Sequence, residues 1–157
     1  MQLYVDMDGV LADFDRHYEE TFGVVASKQL DNVRWEWVRE REGFYAGIPP
    51  MDDMEELWRA VEPFNPWILT GVPRGVPEAY ENKSEWVKKH LGAKVVMIGC
   101  RSKEKCRYAK PGDVLIDDWE KYRHLWEQAG GHWITHRSAK ESVEALMAYI
   151  GGLKETP

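Results

Sequence analysis

Short apolar runs alternate along the chain with longer stretches in which apolar residues recur every three or four positions. The first run, LYV, ends directly in Asp6, giving a strand at about 3–6; comparable runs stand at 67–70 (WILT), 95–98 (VVMI), 114–117 (VLID) and 132–135 (HWIT). Runs this short, bounded by Gly, Pro or Asp, predict strands. The periodic stretches between them predict helices at about 11–22, 53–62, 77–90, 119–129 and 139–150. Gly23 ends the first helix. Asp52 or Asp53 can cap the second, and Pro63 stops it. Gly92 follows the third and Gly130-Gly131 the fourth. Residues 27–42 also read as helical, with Leu30, Val33, Trp37 and Val38 at helical spacing. Strands alternating with helices predict a three-layer, Rossmann-like α/β fold around a parallel sheet.

The polar residues gather where the predicted strands end. DMDGVLADF (6–14) opens with two aspartates at i and i+2, followed by Gly9. In extended chain such side chains point the same way. Two carboxylates so placed repel unless a cation or a shared proton offsets them, and Mg²⁺ suits one or two carboxylates with phosphate oxygens and water. WILTG ends in Thr70 and Gly71, and DVLIDD ends in Asp117 and Asp118. RSKEKCRYAK (101–110) is a basic stretch leading into the fourth strand. In a parallel sheet with helical crossovers these strand ends converge on one crevice. Acidic clusters, a hydroxyl and a lysine at one crevice suit Mg²⁺ and a phosphate.

In order along the chain, DMDGV, ILTG, a lysine before the fourth strand and LIDD resemble the four motifs of haloacid dehalogenase superfamily phosphatases. They frame residues 4–118. Within that superfamily, DMDGVLADF, GFYAGIPPMDDMEELW, NKSEWVKKHLG and VLIDD look most like the 5′(3′)-deoxyribonucleotidases and their short phage and bacterial relatives. The resemblance implies a haloacid dehalogenase-like core at about 1–14 and 49–157, with a small helical cap at about 15–48. It implies Asp6 as nucleophile, forming an aspartyl-phosphate, and Asp8 as general acid and base. Thr70 and the Gly71 amide would bind phosphate. Asp6, Asp8 (through its carbonyl), Asp117 and Asp118 would form the Mg²⁺ site, with Asp118 the better direct ligand of the last two. Lys105 is the chosen phosphate lysine, with Lys103 and Lys110 as alternatives; Lys83, on a helix, is expected to be solvated. Phe14 matches a base-contacting aromatic of the family, and Trp35, Trp37, Phe44 and Tyr45 are stacking candidates in the cap. Arg74 could reach the phosphate or sugar.

Composition narrows the reading. The 157 residues make one domain, long enough for a core. No apolar run approaches the roughly 20 residues that span a bilayer. MQLYVDMDG lacks the basic and long apolar segments of a secretory signal, so a cytoplasmic protein with Cys100 and Cys106 reduced is expected. The net charge of −6 disfavours a grip on polymeric nucleic acid. The expected activity is Mg²⁺-dependent hydrolysis of a small-molecule phosphate ester, a nucleoside monophosphate and by preference a deoxyribonucleotide; a homodimer is compatible with this. The alternatives are another small phosphate ester, a polynucleotide-end phosphate, and a non-catalytic phosphate-binding module.

Overall fold

The computed structural model describes residues 1–155. Five strands, β1 (Leu3–Val5), β2 (Trp67–Gly71), β3 (Met97–Cys100), β4 (Val114–Asp117) and β5 (His132–Thr135), form one parallel sheet in the order β3-β2-β1-β4-β5. Six α-helices accompany it: α1 (Phe14–Phe22), α2 (Trp35–Glu40), α3 (Met54–Val61), α4 (Ala79–His90), α5 (Arg123–Gln128) and α6 (Ala139–Glu155). This is the three-layer α/β architecture that the alternation predicts.

Strand alternation divides the core between the two faces of the sheet. Leu3, Val5, Ile68, Val114, Ile116 and Ile134 join the larger apolar cluster, with Leu57 and Trp58 of α3, Trp86 and Val87 of α4 and Leu146 of α6. Tyr4, Leu69, Leu115 and Trp133 point the other way and meet Trp126 of α5. Near-continuous apolar strands are what burial on both faces requires. The helices of segment 15–48 belong to the larger cluster through Tyr18, Val38, Phe44 and Tyr45.

Several boundaries differ from expectation. The first helix starts at Phe14 rather than near residue 11, because the Met7 carbonyl collects the Leu11 and Ala12 amides at 2.9 Å and curls the chain back. Asp13 then caps α1 through the Arg16 amide. The helix expected over 27–42 is confined to Trp35–Glu40. Ahead of it, Ser27 Oγ accepts from the Leu30 amide and Asn32 Oδ1 from the Ser27 amide, while Asp31 takes a φ of 51°. Such local side-chain bonds compete with helical ones. Strand β3 lies two residues later than predicted, and α6 runs on to Glu155. Asp53 makes no cap bond to α3; its Oδ2 instead accepts the Ala139 amide at 2.6 Å, capping α6 from across the fold.

This cap ties the helix after β5 to the helix before β2. Asp53→Ala is expected to lower unfolding free energy by about 1–2 kcal/mol, read as a lower urea midpoint at unchanged slope. An unchanged midpoint would show that solvent satisfies the Ala139 amide equally well.

Candidate active site

The chain runs outward from β1 through β2 to β3, then crosses to the far side of β1 for β4. Open parallel sheets form their ligand crevice at such a reversal, beyond the carboxyl ends of the strands. Asp6 follows β1, and Asp117 and Asp118 stand at the end of β4, so the reversal brings them together. Carboxylate oxygens of all three lie within 4.8 Å of one another.

Lys105 sits between two of them. Its Nζ is 2.9 Å from Asp6 Oδ1 and 2.7 Å from Asp117 Oδ2. The basic stretch folds as a 3₁₀ helix, Ser102–Tyr108, that turns Lys105 inward, leaving it 5% exposed while Lys103 and Lys110 remain at the surface. Burial pulls the Lys105 pKa down, but Asp117 and Asp6 outweigh it and the net direction is upward. Burial likewise raises Asp6, while Lys105, Lys28 and Lys83 together bring it below the ordinary carboxylate range. Asp117 goes up, through burial and then the charge of Asp6. Both Asp117 oxygens are engaged, since Oδ1 accepts the Trp119 amide at 2.9 Å. Asp118 differs: its Oδ1 is buried without a hydrogen-bond partner among the described residues. Burial, then Asp6 and Asp117 against the pull of Lys28, pushes the Asp118 carboxyl up to about 7.

Asp6 Oδ2 and Asp8 Oδ1 are also buried without hydrogen-bond partners. Unpartnered buried carboxylate oxygens are costly alone, and those of Asp6 and Asp118 belong to one cluster. A hard divalent cation would satisfy them, so the residues fit Mg²⁺. Gly9 keeps the cluster open. It takes a φ of 81°, and a Cβ there would run into the Asp118 carboxylate.

The second aspartate of the first motif does not join the trio. Asp8 Oδ2 accepts from Lys83 Nζ at 2.8 Å. Lys83, expected at the surface, is fully buried and also donates to Thr70 Oγ1 at 3.0 Å and to the Gly71 carbonyl at 2.6 Å. Burial lowers its pKa against the pull of Asp8, yet three acceptors occupy all three N–H bonds of an ammonium group. The Tyr45 ring covers it, with Nζ 4.6 Å from the centroid. The expectation of a solvated Lys83 is therefore corrected. The sequence held a signal: Lys83 lies three residues before Trp86 and four before Val87, both buried, so it shares their helix face. Thr70, accepting from Lys83, keeps its own hydroxyl proton for another acceptor.

The site opens into a cleft of about 550 Å³. Asp8, Gly71 and Arg74, all picked out from sequence, line it. Trp35 and Tyr45 from segment 15–48 form part of its wall, joined by Trp119 and Tyr122, which sequence reasoning missed. Phe14 and Trp37 do not line it. Phe14 is 2% exposed and packs against Tyr18, Trp35, Phe44 and Tyr45. Trp37 packs against Phe22 with Arg34 over its ring. Phe44 is core. Lys28 is a further omission. It lines the cleft from the 27–32 turn, and Asp6, Asp118 and Asp8 hold its pKa up against burial. The two thiols, Cys100 and Cys106, are free. No helix among the described residues is long and apolar enough to cross a membrane.

No family model and no curated protein matches the chain. Among solved structures, an HAD hydrolase of family IA, variant 3, from Entamoeba histolytica aligns with 94% of this chain and 88% of its own, at 15% identity and a TM-score of 0.46. A likeness this distant carries no argument about the site.

Two outcomes follow from the geometry. Lys83→Met strands Asp8 as an unpaired buried carboxylate and is expected to cost about 3–5 kcal/mol of stability. Adding Asp8→Leu should return part of it, and a single variant as stable as the parent would refute the buried pair. Asp118 is a neutral acid below about pH 7 and a carboxylate above it, and protons compete with metal for such ligands. The rise in Tm produced by Mg²⁺ should thus be larger at pH 8 than at pH 6. Equal rises would remove Asp118 from the cation site.

Proposed function

We propose that this chain is a phosphomonoesterase of the haloacid dehalogenase superfamily that hydrolyses nucleoside monophosphates, deoxyribonucleotides by preference, through an aspartyl-phosphate on Asp6. The observation that carries this reading is the trio Asp6, Asp117 and Asp118, with Lys105 between Asp6 and Asp117 and buried oxygens of Asp6 and Asp118 left unpartnered, at the same strand ends from which Asp8 and Gly71 line a cleft walled by aromatic and basic residues.

Asp6 is held ionised, as attack requires. Its carboxylate adds to phosphorus, and the bond from phosphorus to the ester oxygen breaks. Asp8, protonated in the substrate complex, gives the departing oxygen its proton. Water then attacks the phosphorus of the aspartyl-phosphate and passes a proton to Asp8, and the bond from phosphorus to Asp6 breaks, releasing inorganic phosphate and the free Asp6 carboxylate. Oδ1 of Asp8 has no partner while Lys83 occupies Oδ2, so Oδ1 is the oxygen that would carry the proton. Lys83 holds Asp8 and Thr70 in register, and Thr70 and the Gly71 amide receive the phosphoryl oxygens. Lys105 offsets charge on Asp6 and the transferring group, and Asp117 orients Lys105. Asp6, Asp118 and the Asp8 carbonyl would hold Mg²⁺, which when bound supplies neutralisation between the two reacting anions.

Residues 15–48 act as the small cap, bringing Lys28, Trp35 and Tyr45 over the crevice. An aromatic wall suits a planar base, and base–aromatic stacking is worth roughly 1–3 kcal/mol per base.

The test is phosphate release across ribo- and deoxyribonucleoside 5′- and 3′-monophosphates, with glycerol phosphate as an ester that cannot stack. Nucleotides should be preferred, and EDTA should abolish turnover. Asp6→Asn should be inactive while folded. Asp8→Asn should lose about 10²–10⁴-fold on alkyl esters and less on nitrophenyl phosphate, whose leaving group needs no proton. Full turnover after exhaustive EDTA treatment, or an active Asp6→Asn protein, would sink the mechanism; preference for glycerol phosphate would sink the nucleotide.

A further inference from the structure

We infer that the cleft takes a phosphate ester bearing a second phosphorus oxyanion, held by Arg74, Arg101 and Lys103. This rests on the phosphomonoesterase reading of the site and extends it from a monophosphate to a doubly phosphorylated nucleotide.

Strand order divides the crevice by charge. The carboxylates that would take the reacting phosphoryl group follow β1 and β4. Arg74 follows β2, and Arg101 and Lys103 follow β3. Strands β2 and β3 pair through Thr70 with Gly99 and Gly71 with Cys100, so their loops leave the sheet side by side on the flank away from Asp117 and Asp118. All three cations line the cleft. None of them forms an ion pair among the described residues; nearby Glu104 is taken by Arg107. Asp8 is the single carboxylate lining the cleft, and Lys83 already neutralises it.

A phosphoryl group at Asp6 has Thr70, the Gly71 amide and Lys105 at hand, with Lys28 on the opposite wall. Three further cations exceed what one phosphoryl group needs. Their clustering inside a chain of net charge −6 makes the flank a local exception, and a cleft lined by one sign of charge concentrates the opposite one. Arginine forks fit phosphate oxygens in pairs. Ser102 stands between Arg101 and Lys103 in the same wall. A Cβ on Gly71 would lie 2.6 Å from Ser102 Oγ, so glycine at 71 lets this neutral donor approach the strand end. The second oxyanion can be a phosphomonoester or a phosphodiester, and the two sources are separable.

The experiment uses the full chain with Asp6→Asn, which holds ligand without turnover, in the presence of Mg²⁺. Calorimetric titration compares deoxyadenosine 5′-monophosphate, deoxyadenosine 3′,5′-bisphosphate and a 5′-phosphorylated dinucleotide. One of the last two should bind about tenfold tighter than the monophosphate or better: the bisphosphate if the source is a monoester, the dinucleotide if it is a diester. Adding Arg101→Gln and Lys103→Gln should bring that ratio to within about twofold. Equal affinity for all three ligands overturns the inference, as does a preference that survives the two substitutions. Because the readout is binding, a wild-type chain that binds the second phosphate but hydrolyses nothing would refute the phosphatase reading and leave this one standing.

Discussion

The carboxyl end of the sheet is organised around the ammonium group of Lys105, held between Asp6 Oδ1 and Asp117 Oδ2. Two carboxylates at 4 Å repel by about 4 kcal/mol at an effective dielectric constant of 20. A third acidic side chain, Asp118, joins them at the same reversal of strand order. One lysine cannot balance three carboxylates. The remainder appears as a raised Asp118 and as oxygens without donors. The fold thus holds a deficit of positive charge at one point.

Lys83 belongs to a separate arrangement a short distance away. It is buried on α4 and joins Asp8 to the end of β2 through Thr70 and the Gly71 carbonyl. The two aspartates of DMDG therefore have different environments although they are two residues apart. Asp6 faces a lysine shared with another acid, whereas Asp8 has a lysine of its own. Separate environments for paired carboxylates are how one site assigns them different tasks. The Tyr45 ring lies over Lys83, and further along the same helix the Trp86 indole N–H donates to the Ile48 carbonyl at 2.7 Å.

The layer architecture was legible because strand and helix periodicities differ and because the strands are short and apolar. The carboxylates were legible because strand ends carry them to one crevice whatever the details of packing. Other features depend on which face a helix turns inward. NKSEWVKK offers three lysines, and only the position of Trp86 and Val87 relative to the sheet decides that Lys83 is the buried one. The aromatic residues divide for the same reason: Trp35 and Tyr45 line the cleft, whereas Phe14, Trp37 and Phe44 do not. Phe14 and Phe44 pack on each other in the core and Trp37 packs on Phe22, while Trp119 and Tyr122 reach the cleft from beyond β4. The lost helical turns at 27–32 reflect competition between backbone periodicity and the side chains of Ser27 and Asn32, which apolar spacing does not register.

That turn has an electrical consequence. Lys28 supplies positive charge to Asp6, Asp8 and Asp118, but it is carried on a stretch kept in shape by three side-chain hydrogen bonds, from Leu30 to Ser27 Oγ, from Ser27 to Asn32 Oδ1 and from Asn32 to the Val25 carbonyl, and tied to the end of β4 by long bonds from Gln29 to Asp118. Stretches so fixed open at a lower free energy than the sheet beneath them. Each opening would withdraw one unit of charge from the crevice without moving a strand. The acidity of the carboxylates would then fluctuate with the order of a peripheral loop, which works as a voltage divider for the strand ends rather than as a wall around them.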